Sequence, residues 1–163
     1  MAESAVPKVP RDGSLVIKDG TATPNTYTVQ YSDAFGYTGT QAAPIHVFNR
    51  GTRVYTRKGN DGIPSISFTV LLASFTDGTD LTILDVLLKT GAASAWTKVL
   101  STVEEYNVTG EFSVEGTDHG DDTDHKITCT GLRLTDYQIS EGEPMTLTVN
   151  MEVLGTTTYT GPT

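Results

Sequence analysis

Residues 145–153 read MTLTVNMEV. Met145, Leu147, Val149, Met151 and Val153 alternate with Thr146, Thr148, Asn150 and Glu152. That is the period of a strand with one face in a core and the other in water. The same period of two recurs upstream in Leu15/Ile17, Tyr27/Val29/Tyr31 and Ile66/Phe68/Val70/Leu72, and again in Val108/Phe112/Val114 and Ile127/Cys129. Each run is short and bounded by Gly, Pro, Asp or Asn. Thr supplies roughly a sixth of the chain, which together with frequent Val and Gly favours extended structure over helix.

One segment departs from this period. In DGTDLTILDVLLKTG, residues 77–91, Thr82, Asp85 and Lys89 form a narrow polar stripe at helical spacing on an otherwise apolar circumference. Thr79 or Asp80 is placed to cap the N-terminus, Asp85 and Lys89 to pair as i,i+4 neighbours, and Gly91 to follow the end. The expectation is a mainly β chain with one flanking α-helix at about residues 79–90. Residues 1–13 read as an N-terminal arm, 14–155 as a single β-rich domain and 156–163 as a polar C-terminal tail. Residues 34–62 form its least regular part, rich in Gly, with a hairpin expected near His46 to Arg57.

With 163 residues, 37% of them hydrophobic, the chain is expected to bury a core without disulfides or a structural metal. Its single Cys129, in phase with Ile127, reads as a small core side chain. Residues 1–11 lack the apolar run of a secretory signal, so synthesis in a cytoplasm is expected, and no apolar run is long enough to span a bilayer. Residues 1–100 carry 9 basic and 8 acidic groups, whereas residues 101–163 carry 2 and 12, so the excess acid behind the net charge of −9 lies at the end. Such a balance disfavours a nucleic-acid or anionic-membrane binder.

Enzyme signatures are absent. There is no G-x-S-x-G elbow, no Walker loop and no G-x-G-x-x-G, and the three His residues have no motif context. Glu111 and Glu115 share a strand face but stand roughly 13 Å apart along it, too far for a carboxylate pair. Asp118, His119, Asp121, Asp122, Asp124 and His125 form the one metal-like cluster, without EF-hand spacing, and read as a solvated hairpin tip. No metal, no cofactor and no catalytic residue is therefore expected. Asn107-Val108-Thr109 matches a glycosylation sequon, which the expected cytoplasmic synthesis would leave unused. Arg50, Arg53, Arg57 and Lys58 form a basic cluster in which Arg53, Tyr55 and Arg57 share a face if the segment is extended. Such a stripe suits nucleic acid or the acidic residues of a neighbouring copy, of which the charge asymmetry of the chain favours the latter, and it reads equally as a solvated charge run with no partner.

Three stretches together resemble the major tail proteins, or tail tube proteins, of long-tailed bacteriophages. They are VPRDGSLVIKDGTATPNTYTVQY near the start, SISFTVLLASFTDGTDLTILDVLLKTGAASAW in the middle, and FSVEGTDHGDDTDHKITCTGLRLTDYQISEGEPMTLTVNMEVLG towards the end. The resemblance implies a β-sandwich or barrel-like core with a flanking helix, hexameric rings whose inner wall is a continuous β-barrel, and stacking of those rings into a tube. It also implies a virion location, a tube that surrounds the tape measure protein, contacts with tail terminator and baseplate or tip proteins, and passage of DNA without specific binding.

On that reading the polar faces of two late strands line the lumen: Thr109, Glu111 and Glu115 on one, Thr148, Asn150 and Glu152 on the other. Such a wall is expected to repel phosphates and to offer no cation on which DNA stalls. Arg50, Arg53, Arg57 and Lys58 are expected at inter-subunit or inter-ring contacts, with Asp118, Asp121 and Asp122 as their acidic counterparts. The alternatives are a β-sandwich module binding carbohydrate or calcium through the acidic loop, or another virion protein such as a capsid decoration protein or the tube of a contractile injection machine.

Overall fold

The computed structural model describes residues 13–29, 35–76, 78–114 and 124–161. Among these residues, ten strands and one short α-helix follow in the order β1 (Gly13–Lys18), β2 (Thr26–Val29), β3 (Gly36–Thr38), β4 (Pro44–Asn49), β5 (Thr52–Lys58), β6 (Ser65–Leu71), α1 (Ile83–Leu88), β7 (Val108–Val114), β8 (His125–Ser140), β9 (Thr146–Val153) and β10 (Thr157–Thr160). The main sheet runs β2-β1-β7-β8-β9-β6-β3, with β10 added to β8, while β4 and β5 pair only with each other. The pairings are antiparallel.

The alternation of residues 145–153 survives in the fold. Leu147, Val149, Met151 and Val153 are buried, and the partners Val70, Phe68 and Ile66 meet the first three of them across the β6–β9 ladder. On the opposite face Ser65, Ser67 and Thr69 stand beside Glu152, Asn150 and Thr148. The residues before and within β3 turn back across the sheet: Phe35 stacks on Phe112 of β7 at 4.4 Å, and Tyr37 meets Tyr159 of β10 edge-on at 6.1 Å. The sheet thus curls around a single cluster that also takes in Ile83, Leu84, Val86 and Leu87 of α1 and Trp96.

The helix is shorter than its sequence suggests and turned the other way. It begins at Ile83 with Thr82, not Thr79 or Asp80, as the N-cap. Thr82 Oγ1 accepts from the Asp85 N–H at 3.2 Å and lies 2.8 Å from Asp85 Oδ2, a reciprocal arrangement that satisfies the first turn locally. Asp85 is fully buried and does not pair with Lys89, which ends the helix at φ 55 and sets its Nζ 5.8 Å from the Tyr106 ring centre. The polar stripe therefore serves the cap, and Thr82 and Asp85 face inward.

Two other buried polar groups hold the loops that flank the core. Asp19 accepts from the Thr21 hydroxyl at 2.8 Å, the Asn25 N–H at 2.8 Å and amide at 3.0 Å, and the Thr97 N–H at 3.2 Å, tying the β1–β2 connection to the segment after the helix. Asn107 accepts from the Leu100 N–H at 2.7 Å and donates to the carbonyls of Leu100 and Glu105. Its complete burial makes it a structural clamp. Cys129 is likewise buried, and burial pushes its thiol pKa up.

One expectation needs correction here and another needs refining. Residues 156–163 were expected as a tail, but Thr157–Thr160 form β10, with Thr157 opposite Cys129 and Tyr159 opposite Ile127. Within residues 34–62 the expected hairpin near His46 to Arg57 is present as β4–β5, and the short strand β3 precedes it. Of the expected arm over residues 1–13, Gly13 opens β1, while residues 1–12 lie outside the described residues, as does Tyr31.

Candidate assembly surfaces

Thr109 and Glu111 stand on β7 opposite the inward residues Val108 and Gly110. Thr148, Asn150 and Glu152 stand on β9 opposite Leu147, Val149 and Met151. Strand β8 bridges the two sets, since Thr128 is registered with Glu111, Arg133 with Glu152, Asp136 with Asn150 and Gln138 with Thr148. The five candidates thus lie on one polar face of one sheet. Glu115 lies outside the described residues, as do Asp118, Asp121 and Asp122.

The electrostatics of that face differ from the expected bare acidity. Lys18 of β1 donates to Glu111 Oε2 at 2.8 Å, and Lys126 of β8 lies 3.6 Å from Glu111 Oε1. Arg133 donates to Glu152 at 3.2 Å and reaches Glu105 at 3.2 Å. The cations come from β1 and β8, so they are invisible when β7 and β9 are considered alone. The face carries charge pairs among hydroxyls and amides, and the expectation of a wall without cations is corrected accordingly.

The Lys18 hydrogen bond holds the Glu111 carboxyl below its ordinary pKa, with both lysine charges acting in the same direction against the cost of burial. A lowered carboxylate pKa stabilises the fold above the unfolded value, and that contribution disappears as pH falls through the folded one. Because these side chains remain partly exposed, Glu111→Gln is expected to cost only about 1 kcal/mol at neutral pH. Chemical denaturation at two salt concentrations checks this: the difference from the parent should shrink with added salt and vanish in acid.

The basic cluster sits on the β4–β5 hairpin, whose residues are exposed throughout. Its two-residue turn places Arg50 at φ 48 and Gly51 at φ 84, both left-handed, the turn whose twist matches paired strands. The register passes from Val47↔Tyr55 to Phe48↔Arg53, leaving Val54 as an extra residue. This bulge breaks the alternation, so Arg53 shares the Phe48 face while Tyr55 and Arg57 share the Val47 and Ile45 face. The expected common face of Arg53, Tyr55 and Arg57 is therefore split. Lys58 is already paired with Asp61.

The main sheet leaves strand edges open among the described residues. β2 and β3 are its terminal strands, and β8 beyond Leu134 is paired with β9 alone. Such edges invite pairing with another chain unless something covers them. No group of three or more His, Cys, Asp or Glu among the described residues is arranged to hold a metal, and no helix among them is long and apolar enough to cross a membrane.

No protein-family model matches this chain, and no curated protein matches it. Solved structures do match in shape. The chain is similar to one in the cryo-EM structure of the anti-feeding prophage cap, described as a tube terminating cap, with a TM-score of 0.61 at 7% identity over 99% of this chain and 94% of that one. It is similar to a chain of the extended sheath-tube complex of an extracellular contractile injection system, with a TM-score of 0.57 at 7% identity over 90% and 88%. The SPP1 tail tube gives a TM-score of 0.54 at 12% identity over 95% and 80%. At such identities the likeness is one of fold, and the fold is tail-tube-like and mainly β.

Proposed function

We propose that this chain is a non-enzymatic structural subunit of a phage-type tail tube, assembling as stacked, six-copy rings. The observation that carries this reading is the fold match, which spans 90–99% of this chain and 80–94% of its tube-associated neighbours. Open strand edges and an uncovered hairpin supply the surfaces that ring closure and stacking need. The polar face carrying Thr109, Glu111, Thr148, Asn150 and Glu152 then lines the channel. Its paired charges and hydroxyls offer DNA neither a free cationic patch nor a stacking platform, so the polymer slides. The tape measure protein occupies the same channel during assembly, and terminator and baseplate proteins meet the tube ends.

A second reading, a terminator ring that closes a tube, is favoured by the match to a tube terminating cap. Negative-stain electron microscopy of the purified chain at increasing concentration separates the two. A tube subunit is expected to give rings that lengthen into tubes with a central hole, and a terminator to give rings that do not lengthen. Monomers that bind glycans, or that gain thermal stability from calcium, would contradict both readings and favour a binding module.

A further inference from the structure

Among the described residues, three cations stand on the polar face of the main sheet: Lys18 of β1, and Lys126 and Arg133 of β8. Unpaired, they would form a phosphate-binding patch, because each Lys or Arg that meets a phosphate releases a counterion. Their side chains are 32%, 39% and 37% exposed, which leaves them within reach of a polymer passing the face. Whether the face holds DNA therefore turns on what each cation already touches.

The two sides of the face hold their cations differently. Glu111 takes both lysines, Lys18 through Oε2 at 2.8 Å and Lys126 through Oε1 at 3.6 Å. No second ion pair reaches either lysine among the described residues. The registered neighbours offer no carboxylate: they are Thr26 and Thr109 for Lys18, and Ser113 and Thr160 for Lys126. Arg133 instead has two carboxylates, Glu152 and Glu105, each at 3.2 Å. Loss of Glu111 thus releases two cations at once, whereas loss of Glu152 leaves Arg133 paired with Glu105.

We infer that Glu111 is the residue on which the failure of this wall to hold DNA depends: its carboxylate occupies Lys18 and Lys126 together, so the phosphates of a duplex meet no unpaired ammonium. The inference rests on the tail-tube reading for the polymer that passes the face. It goes beyond that reading by placing the dependence on one side chain and by making Glu152 dispensable for it. Repulsion by bare acid is not the device, since Lys18, Glu111 and Lys126 together carry a net positive charge. What silences the two lysines is the hydrogen-bonded grip of one carboxylate, whose two oxygens face one lysine each.

Fluorescence anisotropy of a short fluorescein-labelled DNA duplex, titrated at low salt with the dilute full-length chain, tests this. Circular dichroism first establishes that each variant is folded. Glu111→Gln should bind the duplex about tenfold more tightly than the parent, and the gain should vanish as salt is added. Glu152→Gln should bind like the parent. Adding Lys18→Gln and Lys126→Gln to Glu111→Gln should abolish the gain, which separates this face from the exposed arginines of the β4–β5 hairpin. No gain from Glu111→Gln, an equal gain from Glu152→Gln, or a gain that survives loss of both lysines would overturn the inference. Electron microscopy of the same preparations at high concentration keeps the two readings apart. Rings with a channel, seen alongside any of those three results, leave the tail-tube reading intact. A parent chain that forms no ring removes the channel and overturns both.

Discussion

Phe68→Ala is expected to lower the unfolding free energy by about 4 kcal/mol, the largest effect of any single truncation considered for this chain. Phe68 is 2% exposed, sits on β6 between β9 and the terminal strand β3, and is registered with Val149. Removing its ring deletes apolar burial and leaves a cavity between the β6–β9 ladder and the rest of the core, where strands paired on both sides relax poorly. For a chain of this length the loss corresponds to a fall in Tm of roughly 10 °C, measurable by circular dichroism. A fall below about 3 °C would mean that the core is not organised around this ladder.

Asp85→Ala is expected to cost about 3 kcal/mol by a different route. The carboxylate is fully buried, yet it accepts from the hydroxyls of Thr82, Thr90 and Thr76. Its removal leaves those hydroxyls without their acceptor and releases the cap on α1. Gly91 belongs to the same device: it has φ 50, and a Cβ there would lie 2.4 Å from Asp85 Oδ1. Burial raises the Asp85 pKa, but the threonine hydrogen bonds outweigh it and hold the carboxyl below its ordinary value of 3.8. The sign is that of a depressed acid: its stabilisation is complete above the unfolded pKa and is lost as pH falls through the folded one. Asp19 is depressed likewise, with Asn25 and Thr21 outweighing its burial. Denaturant titrations should therefore show the parent losing its advantage over Asp85→Ala only in acid. An advantage that persists unchanged into strong acid would contradict the hydrogen-bonded carboxylate.

The strands were legible where alternation ran unbroken. Residues 145–153 and 66–72 announce their buried faces directly, because a strand with one wet side must alternate. Strand β8 was only partly legible, as Ile127/Cys129, although it runs from His125 to Ser140. Gly131, at φ 67, and a second irregularity between Leu134 and Asp136 reset the phase, so no single period covers it. The helix was legible in position but not in orientation. Helical spacing cannot tell an outward Asp85–Lys89 pair from an inward Thr82–Asp85 cap, although Thr82 three residues before an acid is itself a capping signal.

The candidate surfaces show the same division. Thr109, Glu111, Thr148, Asn150 and Glu152 lie on one sheet face, as their alternation suggested. The neutralising partners Lys18, Lys126 and Arg133 depend on which strands become neighbours, a long-range fact that no local pattern carries. The hairpin was foreseen near its true position, but the bulge at Val54 that separates Arg53 from Arg57 left no mark in the sequence.

The most direct test of the tail-tube reading is a cryo-EM reconstruction of whatever the concentrated chain assembles into. The expected result is a six-copy ring around an open channel, with the face bearing Glu111, Thr148, Asn150 and Glu152 turned towards the lumen and Lys18, Lys126 and Arg133 still paired beside it. A particle without a channel, or a channel walled by a different face, would contradict it.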